Sequence, residues 1–134
     1  MGVPMETPPR VLVVDDSVVV RRVLALTLRQ LPELAYADIE EAPNGELALQ
    51  KLRGGRYDLV LCDIRMPGMD GLELVRQVRG ELKDLATRIV LISTLGTDED
   101  VRRGLEAGAT AYITKPISPH NIKMALRDLL QSSA

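Results

Sequence analysis

The sequence predicts an α/β fold: a five-stranded parallel sheet wound on both faces by five helices. Three observations predict it. Short apolar runs rich in β-branched residues recur along the chain, and segments of helical period separate them, so strand and helix alternate five times. The three strongest runs are continuous and not alternating in polarity, as strands covered on both faces by helices are. The 134 residues make one ordinary domain and not comfortably two.

The strands are expected at Val11–Val14, Tyr36–Glu41, Leu59–Cys62, Ile89–Ile92 and Ala111–Ile113. The second is polar enough to sit at a sheet edge. Ser17 can cap a first helix carrying Val20, Leu24, Leu28 and Leu31 on one stripe, stopped by Pro32. Asn44 can cap a second, with Ala48, Leu49 and Leu52 inward and Gly54-Gly55 at its end. Asp70 precedes a third, which turns Leu74, Val75 and Val78 inward. A fourth runs from about Asp98 to Ala107, with Val101 and Leu105 inward and Gly108 as its stop. The last has Ser118 as cap and Pro119 in its first turn, and buries Ile122, Ala125, Leu126 and Leu129. Residues 10–131 form the domain, 1–9 a flexible lead-in or expression remnant, and 132–134 a tail.

Composition narrows the function. Seventeen basic against nineteen acidic residues give a net charge of −2, which argues against direct nucleic-acid binding. Three tyrosines are the only aromatics, so base-stacking platforms are lacking. No apolar run approaches the roughly 18 residues of a membrane span, and Met1–Pro9 has no signal-peptide core. One cysteine excludes an internal disulfide framework. A cytoplasmic protein is expected.

In sheets of this kind ligands bind beyond the carboxyl ends of the strands. Asp15 and Asp16 follow the first strand, Asp63 the third, Ser93 and Thr94 the fourth, and Lys115 with Pro116 the fifth. Taken singly, each has an ordinary structural explanation, as a helix cap, a turn or a surface lysine. Together they bring three carboxylates, a hydroxyl and an ammonium to one edge. Clustered carboxylates raise one another's pKa unless a counter-charge is present. An oxygen-seeking divalent cation supplies it, and two or three carboxylates with room for water suit Mg²⁺. One histidine and one cysteine are too few for a zinc site. A carboxylate beside Mg²⁺, with a lysine and a hydroxyl close by, is an arrangement for phosphoryl transfer.

Val11-Leu12-Val13-Val14-Asp15-Asp16-Ser17, Leu61-Cys62-Asp63-Ile64-Arg65-Met66-Pro67-Gly68-Met69-Asp70-Gly71 and Ala107-Gly108-Ala109-Thr110-Ala111-Tyr112-Ile113-Thr114-Lys115-Pro116 resemble the receiver domain of two-component response regulators, the CheY-like family. The resemblance covers about residues 10 to 131. It implies a flavodoxin-like sheet of strand order 2-1-3-4-5. It implies that Asp63 accepts a phosphoryl group, and that Asp16 binds Mg²⁺ directly and Asp15 through water. The Arg65 backbone carbonyl would complete the protein's share of the metal shell, and Lys115 would contact the phosphoryl oxygens. A cis bond is expected between Lys115 and Pro116. Spacing from Gly108 selects Ser93 over Thr94 as the switch hydroxyl, and Tyr112 takes the place of the switch aromatic. Arg65 and Leu95 stand where family members often carry small or polar residues, which bears on the lifetime of the phosphoryl group.

The resemblance implies a signalling domain that catalyses only its own phosphorylation and dephosphorylation. Its expected partners are a sensor histidine kinase or phosphotransfer protein, and a downstream output protein or an output domain elsewhere. The fourth helix, fifth strand and fifth helix would change affinity for that output. Two alternatives fit these residues less well. A pseudo-receiver acting by contact alone would have lost some of Asp15, Asp16, Asp63, Ser93 and Lys115. A Mg²⁺-dependent phosphatase with an aspartyl nucleophile would want an acid two residues beyond it, where this chain has Arg65.

Overall fold

The computed structural model describes residues 7–131. Most of the expected lead-in and all of the expected tail lie outside the described residues. The strands are β1 (Arg10–Val14), β2 (Asp38–Ala42), β3 (Leu59–Asp63), β4 (Arg88–Ser93) and β5 (Ala111–Thr114). The helices are α1 (Val18–Arg29), α2 (Gly45–Gly54), α3 (Gly71–Gly80), α4 (Asp98–Ala107) and α5 (Pro119–Gln131). All strand pairs are parallel, and the order is β2-β1-β3-β4-β5, as expected. No helix among the described residues is long and apolar enough to cross a membrane.

Alternation along each strand divides the core into two layers. Leu12, Val14, Val60, Cys62, Ile89 and Leu91 face Ala48, Leu49 and Leu52 of α2 and Leu74, Val75 and Val78 of α3. Val11, Val13, Leu59, Leu61, Val90 and Ile92 face Leu24 and Leu28 of α1 and Ile122 and Leu126 of α5. Ser17, Asn44 and Asp70 accept backbone N–H groups in the first turns of α1, α2 and α3. A Ser118 hydroxyl does the same for Asn121 in α5.

Three sequence expectations need correction. The second strand begins at Asp38, and Tyr36 lies outside it at 91% exposure. A single turn of 3-10 helix, Pro32–Leu34, ends just before it and delays pairing. Leu31 is buried, but it lies beyond the end of α1 and anchors that turn instead of extending the helical stripe. Leu105 is 44% exposed, because α4 presents Gly104 to the sheet. A Cβ at Gly104 would stand 2.8 Å from the Tyr112 ring, so the ring fills the space an inward leucine would need.

The edge strand β2 is tied down by charge. Glu40 accepts from Arg10 Nη2 at 2.8 Å, Lys51 Nζ at 3.1 Å and the Tyr57 hydroxyl at 2.8 Å. These partners hold its carboxyl at about 2, well below the ordinary value, with the Arg10 hydrogen bond the largest cause. The Arg10 guanidinium also lies over the Tyr57 ring, 4.3 Å from its centroid. A depressed carboxyl contributes stability that is fully present above its unfolded pKa and lost as pH falls through the folded one. Glu40→Gln should therefore lower stability at pH 7 by about 1–2 kcal/mol. It should also flatten the loss of stability below pH 4.5, which urea melts at several pH values would read. An unchanged acid limb would show that Glu40 is not the group responsible.

Candidate functional site

Parallel pairing brings the strand ends to one level. The Asp15 amide donates to the Ala42 carbonyl at 3.2 Å, Ile64 to Ile92 at 3.3 Å and Lys115 to Ser93 at 2.7 Å. Each bond fixes the backbone at a strand end, where Asp15, Asp63 and Lys115 carry the polar groups.

Asp15 and Asp63 are buried, and Asp16 is exposed at the rim. One carboxylate oxygen from each of the three lies within 4.8 Å of the others. Lys115 is the cation among them, with Nζ 3.6 Å from Asp63 Oδ1 and 4.0 Å from Asp15 Oδ2. Burial raises the Asp63 carboxyl above its ordinary value, while Lys115 and the amides of Arg65 and Ile64 pull it back. Burial also raises Asp15; its bond from the Ser17 amide, at 2.8 Å, opposes this, and the Asp63 charge adds to it.

Close backbone approach shapes the Asp63 end of β3. A Cβ on Gly71 would meet the Asp63 carbonyl at 2.5 Å, so glycine lets α3 start directly against the strand. Its amide donates to the Ile64 carbonyl at 2.9 Å, which holds the intervening loop closed. Ser93 is fully buried at the end of β4, and its Oγ accepts from the Leu95 amide at 3.1 Å. Thr94 is exposed. Tyr112 is half-buried, and its hydroxyl donates to the Leu95 carbonyl. Leu95 is thus held through both backbone groups, one by Ser93 and one by Tyr112. The Lys115–Pro116 bond is cis, as expected.

The side chains of Arg65, Leu95 and Tyr112 line one groove of about 600 Å³ beside Asp63, together with Arg103 of α4. Arg65 itself is exposed. Cys62 is buried inside β3, and burial pushes its thiol well up, so it is core. His120 is exposed on α5.

One supporting pair escapes sequence reading. Arg21 Nη1 donates to the Asp15 carbonyl at 2.6 Å, and its Nε donates to Glu41 at 2.9 Å. Glu41 also takes Arg22 Nε at 3.0 Å. The edge strand thereby steadies the backbone between Asp15 and Asp16. The partners are 20 residues apart with no shared motif, so nothing in the sequence announces them.

The donor set is all carboxylate oxygen, with a partly compensating lysine. It fits a hard divalent cation such as Mg²⁺, which accepts few protein ligands and keeps its own waters.

Known proteins resemble this chain over most of its length. The model of the response regulator receiver domain matches residues 11–127. The chain is 38% identical over 122 residues to a chemotaxis protein CheY homolog of Campylobacter jejuni, covering 90% of this chain and 92% of that protein. It is 38% identical over 125 residues to the transcriptional regulatory protein ResD of Bacillus subtilis, covering 93% of this chain but only 49% of that one. The chain thus spans about half the length of that relative. In a solved CheX–CheY complex with BeF3 and Mg²⁺ from Borrelia burgdorferi, one chain is 30% identical, with a TM-score of 0.81 over 92% of this chain and 90% of that one.

Without metal the buried carboxylates oppose folding. Their raised pKa values mean the folded state binds protons more tightly than the unfolded state, so these groups cost stability above those values and cease to as pH falls through them. Asp15→Asn keeps the oxygen that accepts from Ser17 and removes one buried charge. It should raise the melting temperature in chelator at pH 7 by about 3 °C. The same variant should reduce the rise that Mg²⁺ gives the wild type. A lower melting temperature in chelator would refute the repulsion argument.

Proposed function

This chain belongs to the response regulator receiver family, and from that premise we propose that it is a phosphorylation-switched signalling receiver whose acceptor is Asp63. The observation that carries the reading is the buried Asp63 carboxylate 3.6 Å from Lys115, at the centre of the acidic cluster.

An Asp63 carboxylate oxygen attacks the phosphorus of a phosphohistidine on a donor protein. The bond from phosphorus to the donor nitrogen breaks, and the electron pair leaves with the imidazole, which takes up a proton. Lys115 neutralises the transferred oxygens, and its contact with Asp63 opposes the upward push that burial gives this carboxyl. Asp15, Asp16, Asp63 and the Arg65 carbonyl would hold Mg²⁺. When bound, the metal supplies positive charge against the phosphoryl oxygens.

Ser93 Oγ then turns from the Leu95 amide toward the phosphoryl group, and Tyr112, whose ring lies against Gly104 and whose hydroxyl holds the Leu95 carbonyl, shifts with Leu95. Losing the Ser93 tie frees the Leu95 segment and the start of α4 to move together with Tyr112. This shifts an equilibrium between two states and does not build a new one. The α4-β5-α5 face reads the change out to a partner protein or an output domain. The reading includes a cytoplasmic setting and a histidine kinase or phosphotransfer protein as donor. The domain is a signalling element that turns over only its own phosphoryl group.

Intact-mass spectrometry after incubation with Mg²⁺ and acetyl phosphate should show one phosphoryl group on the wild type and none on Asp63→Asn. Equal labelling of both would reject Asp63 as acceptor. The phosphoryl group should also be long-lived. Leu95 offers no side-chain atom to orient an attacking water, and the Arg65 guanidinium donates but cannot take a proton. Replacing Leu95 with Glu and Arg65 with Asn together should speed decay by about 10², the lower end for a positioned water under general-base catalysis. If both single variants and the pair decay at the wild-type rate after donor removal, water access is set elsewhere.

A further inference from the structure

Helix α4 is attached to the domain very unequally at its two ends. Among its ten residues only Gly104 is buried. A helix with so little apolar burial is held by its terminal contacts.

The C-terminal end is fastened through Arg79, near the end of α3. Arg79 Nε donates to the Gly108 carbonyl at 3.0 Å, Nη1 to the Asp84 carbonyl at 3.0 Å and Nη2 to Thr110 Oγ1 at 3.3 Å. The same Thr110 hydroxyl accepts the Ile89 amide at 3.0 Å, and the Thr110 amide donates to the Ile89 carbonyl at 2.7 Å. The turn after α4 is therefore joined to α3 and to the buried strand β4 together. Packing reinforces this. Gly108 has φ +120°, and a Cβ there would stand 2.7 Å from Arg79 Cγ.

The N-terminal end is different. The Thr97–Asp100 capping box is internal to the helix and ties it to nothing else. The segment leading into it is held by the Tyr112 hydroxyl on the Leu95 carbonyl and by Ser93 Oγ on the Leu95 amide. Neither of these ties depends on Arg79.

We propose that Arg79 is a positioning residue, the fulcrum about which α4 turns: its guanidinium pins the Gly108 end to α3 while the Leu95 end is free to move. The proposal rests on the switching role given above to Ser93 and Tyr112. A helix of ten residues is about 15 Å long, so a turn of about 10° moves its free end by about 3 Å and its pinned end hardly at all. The fulcrum converts release of Leu95 into rotation of α4 and prevents its detachment. It also keeps Gly104 against the Tyr112 ring, so the two move in register.

Hydrogen exchange with mass spectrometry on the full chain tests this, with and without Mg²⁺ and beryllofluoride as the phosphoryl mimic. In the wild type the mimic should change exchange about tenfold over residues 94–101 and less than about twofold over 104–111. Arg79→Met keeps the stem and removes the guanidinium. It should speed exchange over 104–111 about tenfold before any mimic is added, and spread the response along the whole helix. Arg79→Lys, which retains the charge but not the fork, should show the same loosening to a smaller degree and serves if the Met variant does not fold. A wild-type response equal at both ends of α4, or a wild-type pattern in the Arg79 variants, would overturn the fulcrum and leave the switching reading standing. No wild-type response even at 94–101 would overturn the switching reading, and the fulcrum with it.

Discussion

One ammonium faces three carboxylates at the carboxyl end of this sheet, and two of those carboxylates are buried. Lys115 cannot balance the charge of all three, so the site holds an excess of negative charge, with two of the three carboxylates largely withdrawn from water. The sheet itself imposes this arrangement. Parallel register brings Asp15, Ile64 and Lys115 to one level through backbone hydrogen bonds, and the two core layers behind them are closely packed. The site cannot relax by splaying its strands. What remains is to bind positive charge, which is the role proposed here for a divalent cation.

The same constraint connects the site to the surface. Because the strand ends are fixed, the mobile parts must be side chains and the loops that follow. Ser93 and Tyr112 each hold one backbone group of Leu95, so a single residue gathers both ties. Gly104 lets α4 lie against the Tyr112 ring, and it is the only residue that α4 buries. An element so lightly packed costs little to move, whereas α3, which buries Gly71, Leu74, Val75 and Val78, is held much more firmly. The domain thus sets a rigid acidic pocket beside a lightly attached helix.

Much of this was legible in the sequence for a simple reason. Continuous β-branched runs and well-formed caps at Ser17, Asn44 and Asp70 are local signals, and the residues after such strands necessarily gather at one edge. The structure brings together Asp15, Asp16, Asp63 and Lys115 as strand endings alone suggest. Departures came where a non-local contact decided. Leu105 fits an inward helical stripe, but the Tyr112 ring, which comes from another element, occupies the space. Tyr36 looks like a strand residue until the turn at Pro32–Leu34 delays β2. Arg21, Glu41 and Arg79 each have a partner 20 or more residues away, with no periodicity to mark it. Ser93 and Thr94 are neighbours of similar chemistry, and burial of one and exposure of the other separates them only in three dimensions.

The central claim is that charge arriving at Asp63 is felt by Ser93 and Tyr112 through Leu95. A crystal structure of the chain with Mg²⁺ and beryllofluoride tests it most directly. The account predicts the beryllofluoride adduct on Asp63, Ser93 Oγ turned from the Leu95 amide toward a fluorine, and Leu95 displaced together with Tyr112. An adduct on Asp63 with the Ser93–Leu95 hydrogen bond intact and Leu95 in place would contradict it.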